Sequence, residues 1–197
     1  MEPKAVVFDL DGVYFERGTE EFISKLQERH GLSEEDIKGV YLKSEQMKDY
    51  KTGRIGKEQF WSYAIRTWGI DATTDEILAL LAESYAENPE IVQLISDLKT
   101  QGVKTAVCTN NFPERIAALD ERFHFKENFD VFVTSYEEGI MKPDARIFEI
   151  LAARLGLRPD EIMMSDDKPE NVVALQKLGF QAFVYAGLDD FRRKVNA

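Results

Sequence analysis

The apolar positions of the chain fall into two rhythms. Ala5–Phe8 is a short unbroken apolar run, the pattern of a strand buried on both faces. From about Thr19 to Ala86 the spacing is helical instead. Phe22, Ile23 and Leu26 mark a helix over 21–30 that Gly31 ends. Ser33, followed by Glu34, Glu35 and Asp36, reads as an N-cap opening a second helix to about Met47. Residues 50–56 break it, and a third helix covers Lys57–Trp68. Thr74, Asp75 and Glu76 open a fourth, with Ile77, Leu78, Leu81 and Tyr85 as its stripe. Four helices with no strand between them predict a small separate bundle.

After Asn88-Pro89, strand and helix alternate. Helices are expected over 90–101, from about Pro113, over 144–155 and over 170–178. Apolar runs at 105–108, 131–133, 161–165 and 180–185 supply the strands. Such alternation predicts an α/β fold, a parallel sheet with right-handed crossovers. The first strand belongs to the same sheet. Residues 1–14 and 88–197 are therefore the α/β core, and 15–87 are a helical insertion after strand one.

Composition narrows the function classes. The 197 residues carry 36 acidic and 25 basic side chains, a net charge of −11, which argues against nucleic acid as a partner. Cys108 is the single cysteine, so no intrachain disulfide is expected. No apolar run approaches transmembrane length and Met1-Glu2-Pro3-Lys4 does not open a signal peptide, so no membrane partner and a cytoplasmic location are expected.

The chemistry sits where the strands end. Strand one runs into Asp9 and Asp11, two carboxylates that side-chain alternation aims the same way, and then Gly12. Strand two ends in Thr109-Asn110-Asn111, just before a helix start suited to phosphate. Lys142-Pro143-Asp144 follows strand three, and Asp166-Asp167 ends strand four. Each has a plain structural reading: Thr109 and Asn111 as N-caps, Lys142 as a solvated lysine, Asp166-Asp167 as a cap. Their meeting at one edge of an open parallel sheet, where ligands bind, favours a site. Four aspartates against Lys142 leave three negative charges, which no phosphate dianion would enter unaided. A divalent cation with oxygen ligands repairs that balance, and Mg²⁺ fits best.

The ordered set Asp9-Leu10-Asp11-Gly12, Thr109-Asn110, Lys142-Pro143 and Asp166-Asp167 resembles the haloacid dehalogenase superfamily. The likeness spans the chain, because a helical insertion directly after strand one is similar to that superfamily's type-1 cap on a Rossmann-like core. The stretch 50–61 and Ser165–Asn171 look most like small sugar-phosphate phosphatases of the glucose-1-phosphate phosphatase type. The resemblance implies a phosphomonoester hydrolase acting on a small phosphate ester. Asp9 would be the nucleophile, and Asp11 the acid and base. Thr109 and the Asn110 N–H would hold phosphate, with Lys142 neutralising charge. Mg²⁺ would lie on Asp9, the Asp11 carbonyl and Asp166, with Asp167 in support. A phosphomutase would use the same residues. A dehalogenase fits less well, since a halide leaving group has no need of Asp11. A receiver-like module reverses the order of the acids, and a catalytically silent scaffold leaves them unexplained. Arg54 and Lys57 are candidate substrate contacts from the cap. His30, His124 and Cys108 take no chemical role, and Trp61, Trp68 and Tyr63 read as cap packing.

Overall fold

The computed structural model describes residues 2–195. Strand β1 (Ala5–Phe8) is followed by α1 (Gly18–His30), α2 (Glu34–Tyr41), α3 (Glu45–Lys51), α4 (Lys57–Trp68) and α5 (Thr74–Glu83). Then come α6 (Pro89–Thr100), β2 (Lys104–Thr109), α7 (Pro113–Phe123), β3 (Val131–Thr134) and the one-turn α8 (Ser135–Glu138). The chain closes with α9 (Ala145–Leu155), β4 (Ile162–Asp166), α10 (Pro169–Lys177), β5 (Gln181–Val184) and α11 (Leu188–Val195). All five strands are parallel, in the order β3-β2-β1-β4-β5. The α/β class expected from the alternation is what forms.

Alternation of side chains across β1 explains why this strand is central. Val6 and Phe8 enter one apolar layer with Val107 and Met163, under α6 and the inserted helices. Ala5 and Val7 enter the other with Ala106, Cys108 and Met164, under α9 and α10. Cys108 is packing, as expected, and burial pushes its thiol up to about 12. The chain winds outward from β1 to β2 and β3, then returns to β4 on the opposite side. The carboxyl ends of β1, β2 and β4 thus meet at a topological switch point.

Two expectations need correcting. The helix predicted from 33 to 47 is two helices, so the insertion holds five and not four. Ser44 is the reason: its hydroxyl donates to the Val40 carbonyl at 2.6 Å and accepts from the Met47 N–H at 3.1 Å. One side chain thus ends α2 and caps α3. Tyr85 does not lie on the fourth helical stripe, because that helix, α5, ends at Glu83. Also, α11 follows the last strand, an eight-residue helix in which Phe191 is buried. Trp61 and Trp68 pack inside the insertion as expected, their indole N–H groups reaching the Tyr50 hydroxyl and the Asp36 carbonyl, each at 3.3 Å. Among the described residues no helix is long and apolar enough to cross a membrane.

The insertion shares a core with the sheet. One apolar cluster runs from Val6 and Phe8 through Tyr41, Tyr50, Phe60 and Trp61. Tyr50 lies stacked between Phe112 of the core, at 4.6 Å, and Phe60, at 4.9 Å, and its hydroxyl donates to Glu114. Arg122 donates to the carbonyls of Ala82 and Tyr85 at 2.8 and 3.1 Å. At Gly53, with φ of +68°, an added Cβ would lie 2.7 Å from the Tyr136 carbonyl oxygen. Both the left-handed backbone and the contact exclude a side chain there. We expect Gly53→Ala to lower stability by about 1–3 kcal/mol. Gly39→Ala, within α2 and with open space around its Cβ, should raise it by about 0.5–1 kcal/mol. Urea midpoints of the two variants check the opposite signs.

Candidate active site

Asp9 stands at the end of β1, buried, with Oδ1 accepting from the Leu10 N–H at 2.8 Å and lying 3.0 Å from Lys142 Nζ. Those contacts leave Oδ2 for other work. The Lys142 ammonium also donates to Asp166 Oδ2 at 2.6 Å, so it bridges acids from two strands. Asp166 Oδ1 accepts from the Lys168 N–H at 2.9 Å and from Asn171 Nδ2 at 2.8 Å. Burial would lower the Lys142 ammonium, but Asp9 and Asp166 more than reverse that and its pKa is raised. For Asp166 the burial penalty is outweighed by Lys142 and the other donors, so its pKa falls. Asp9 is pushed up to about 6, chiefly by burial, with Asp166 and Asp11 adding and Lys142 opposing.

Lys142 lies outside any strand or helix, and Asn110 holds it. The Asn110 amide donates to the Lys142 carbonyl at 2.9 Å and accepts from its N–H at 2.8 Å. Thus the Asn110 side chain positions the lysine, a use the sequence does not announce. Thr109, fully buried at the end of β2, has its hydroxyl 3.5 Å from Asn111 Nδ2. Neither Thr109 nor Asn111 caps α7, whose N-cap is Phe112. Asn111 Oδ1 instead accepts from the Phe112 N–H at 3.0 Å and Arg115 Nε at 2.6 Å.

Asp11 departs from the arrangement that simple alternation predicts. The chain turns tightly after Asp9, with the Tyr14 N–H donating to the Asp9 carbonyl and Phe15 N–H to that of Leu10. Gly12, at φ +76°, completes the turn; an added Cβ would lie 3.1 Å from Asp167 Oδ2. Asp11 thus lies in this turn, beyond the end of β1. Its carboxylate pairs with Arg115 of α7 and accepts from the Tyr85 hydroxyl at 3.1 Å.

This alters the charge balance. With Asp11 matched by Arg115, three carboxylates face the single Lys142 ammonium, leaving two negative charges and not three. Ligand oxygens of Asp9, Asp166 and Asp167 lie within 4.8 Å of one another. Hard oxygen donors in that number, with two charges unmatched, fit one Mg²⁺.

The insertion sends one cation toward this edge, and it is neither expected residue. Arg54 pairs with Asp49 at 3.1 Å, and Lys57 with Asp75 at 2.8 Å, both on the surface. Lys51, the last residue of α3, is the one near Asp9, Asp11, Arg115 and Lys168. Its carbonyl accepts from the Ser135 hydroxyl at 2.5 Å, and among the described residues no carboxylate lies within 4.0 Å of its ammonium. Burial, helped by Arg115 and Lys168, brings its pKa down to about 7.

A carboxylate at the switch point, a lysine bridging it to a second acid, and a cluster of oxygen ligands make this edge the candidate active site. Comparison with known proteins names the family. Residues 3–179 match the model of haloacid dehalogenase-like hydrolases, and the chain belongs to that family. A sesquiterpene phosphatase of Aspergillus oryzae is 28% identical over 179 residues, covering 89% of this chain and 86% of that protein. An (S)-2-haloacid dehalogenase of Pseudomonas sp. strain YL is 25% identical over 186 residues, 90% of this chain and 80% of that one. Mouse acyl-CoA dehydrogenase family member 10 is 41% identical over 95 residues, but the match spans 46% of this chain and only 8% of that protein. Among solved structures, a family enzyme of Bacteroides thetaiotaomicron in complex with magnesium and inorganic phosphate superposes with a TM-score of 0.77. It is 20% identical and covers 95% of this chain and 96% of its own.

The unmatched acids predict a binding measurement independent of turnover. Mg²⁺ should raise the melting temperature by an amount equivalent to about 1–3 kcal/mol at saturation, by mass action on the native state. Asp166→Asn should shift the metal titration to higher concentration. An unchanged melting curve across the titration would refute the metal assignment.

Proposed function

We propose that this protein is a Mg²⁺-dependent phosphomonoester hydrolase working through an aspartyl-phosphate on Asp9, with a small phosphorylated metabolite, such as a sugar phosphate, as substrate. The observation that carries the reading is the pair formed by buried Asp9, bridged to Asp166 by Lys142, and a second acid, Asp11, two residues on. A phosphate ester needs both a nucleophile and a group to manage the leaving oxygen's proton; a halide needs only the first. The phosphatase relative and the neighbour solved with magnesium and phosphate support it. The dehalogenase relative is the reason to test halide release as well.

In this reading Asp9 Oδ2 attacks phosphorus as the bond to the leaving oxygen breaks. Asp11 supplies a proton to that oxygen, then takes one from the water that hydrolyses the acyl phosphate. Lys142 holds Asp9 in place and offsets charge on the transferring group. The Thr109 hydroxyl and the Asn110 N–H, at the edge leading into α7, are the phosphate-oxygen donors. Bound Mg²⁺ would rest on Asp9, Asp166 and the Asp11 carbonyl, with Asp167 in support, and supply charge neutralisation. From the cap, residues 15–87, Lys51 faces the substrate's outer portion.

Phosphate release from a panel of sugar, alkyl and aryl phosphates with Mg²⁺ is the direct test, run beside halide release from 2-haloacids. Halide without phosphate would overturn the reading. Asp9→Asn should abolish turnover, and Asp11→Asn should lose on the order of 10²-fold or more on alkyl esters. Lys51→Met should raise KM several-fold with a smaller change in kcat, as expected of a residue that binds and does not react.

A further inference from the structure

We propose that Arg115 is the positioning residue of Asp11, and that through Tyr41 and Tyr85 it ties the placement of that carboxylate to the docked cap; this rests on the phosphatase reading above. Arg115 is a guanidinium on the inward face of α7, only 2% exposed, beside the apolar positions Ile116 and Leu119. A buried cation persists only where its donors are met. Here they are. Nε donates to Asn111 Oδ1 at 2.6 Å, and Nη1 to the hydroxyls of Tyr41 and Tyr85 at 3.2 and 2.8 Å. Nη2 donates to Asp11 Oδ2. The guanidinium also packs on the rings of Phe112 and Tyr85, 5.1 and 5.6 Å from their centroids. Its bonds and faces are therefore committed to the protein, which leaves it poorly placed to bind substrate itself.

What it holds is a short side chain on a turn. One Asp11 oxygen meets Arg115 and the other the Tyr85 hydroxyl, while 29% of the side chain stays exposed. Gly12, the next residue, packs against the Asp167 carboxylate, which puts Asp11 at the edge of the oxygen cluster. Fixing it there avoids the entropy of finding one rotamer in each turnover. Tyr41 is the last residue of α2, and Tyr85 lies just beyond α5, so both holding hydroxyls come from the insertion. Tyr85 cannot move far. It also meets Thr19 Oγ1 at 3.2 Å, and its ring occupies the room left by Gly18, where an added Cβ would lie 2.3 Å away. A cap displaced from the core would carry both hydroxyls off and leave Asp11 with a looser partner. Placement of the acid thus reports whether the cap is seated.

The test compares kcat and KM for an alkyl phosphate and for p-nitrophenyl phosphate, whose leaving group needs little protonation. Arg115→Met should reduce kcat on the alkyl ester about tenfold or more beyond its effect on the aryl ester, with KM little changed. Arg115→Lys should recover only part, because an ammonium cannot reach all four partners in one plane. Tyr85→Phe, which keeps the ring, should show the same selective loss at smaller size, and it decides the matter if Arg115→Met does not fold. Equal losses on both esters would overturn the proposal. So would a gain on the alkyl ester, which would mean that Arg115 withholds the acid. A substrate-free readout separates this from the phosphatase reading. Asp11→Asn should shift the melting temperature less in the Arg115→Met background than in the wild type, and additive shifts would overturn the pairing. If the wild-type protein releases no phosphate at all, the reading of function fails, while the thermal cycle still judges the placement.

Discussion

The Lys142 ammonium, buried between Asp9 just after β1 and Asp166 at the end of β4, is the contact on which the rest of the site depends. Removing one partner from such a group leaves an unmatched buried charge, typically worth about 3–5 kcal/mol. That penalty forces cooperation among distant segments. Strands β1 and β4 must be neighbours to bring the two acids to one lysine, and the sheet order makes them so. The lysine's loop must be held against them, and the Asn110 amide at the end of β2 does that with two hydrogen bonds. Three adjacent strands therefore converge on a single ammonium.

The insertion is bound by a different kind of force. It joins the sheet through an apolar cluster and aromatic stacking, with polar contacts at the rim. Hydrophobic contact is undirected and tolerates small shifts, whereas the Arg115 network has fixed directions. A cap seated by the first and sensed by the second can be firmly held and still have its position read at the reacting edge. Lys51 sits where the two meet. Its carbonyl is fixed to the Ser135 hydroxyl of the core.

Much of this was legible in the sequence because a parallel sheet writes itself plainly. Ala5–Phe8 is apolar throughout since both its faces are covered, and the strand ends carry the polar residues since that edge is open. The acids and Lys142 could be placed from order alone. What escaped was whatever depends on the path between elements. The Ser44 hydroxyl splits a helix that periodicity would continue, because a local side-chain bond competes with the backbone. Asn110 looked like a phosphate ligand through its backbone, and nothing in its spacing says that its side chain serves the loop 32 residues on. Arg115 left one faint signal, a charge on the inward stripe of α7 beside Ile116 and Leu119. Arg54 and Lys57 were attractive for their position in a break between helices, but each has an acid in reach on the surface.

The path of the turn after β1 also settles how two acids so close in sequence can hold different tasks. Had Asp9 and Asp11 stayed on one extended strand, their charges would have fallen on a single point, each raising the cost of ionising the other. Gly12 turns the chain there with a left-handed backbone, and an added Cβ would crowd the Asp167 carboxylate at 3.1 Å. Asp9 then belongs to Lys142 and the oxygen cluster, and Asp11 to Arg115 and Tyr85. Each carboxylate has its own cation, drawn from a different part of the fold. In the proposed reaction, separate environments suit one to act as nucleophile and the other to handle protons. The two environments follow from a single turn and from two buried cations of the core, Lys142 after β3 and Arg115 on α7.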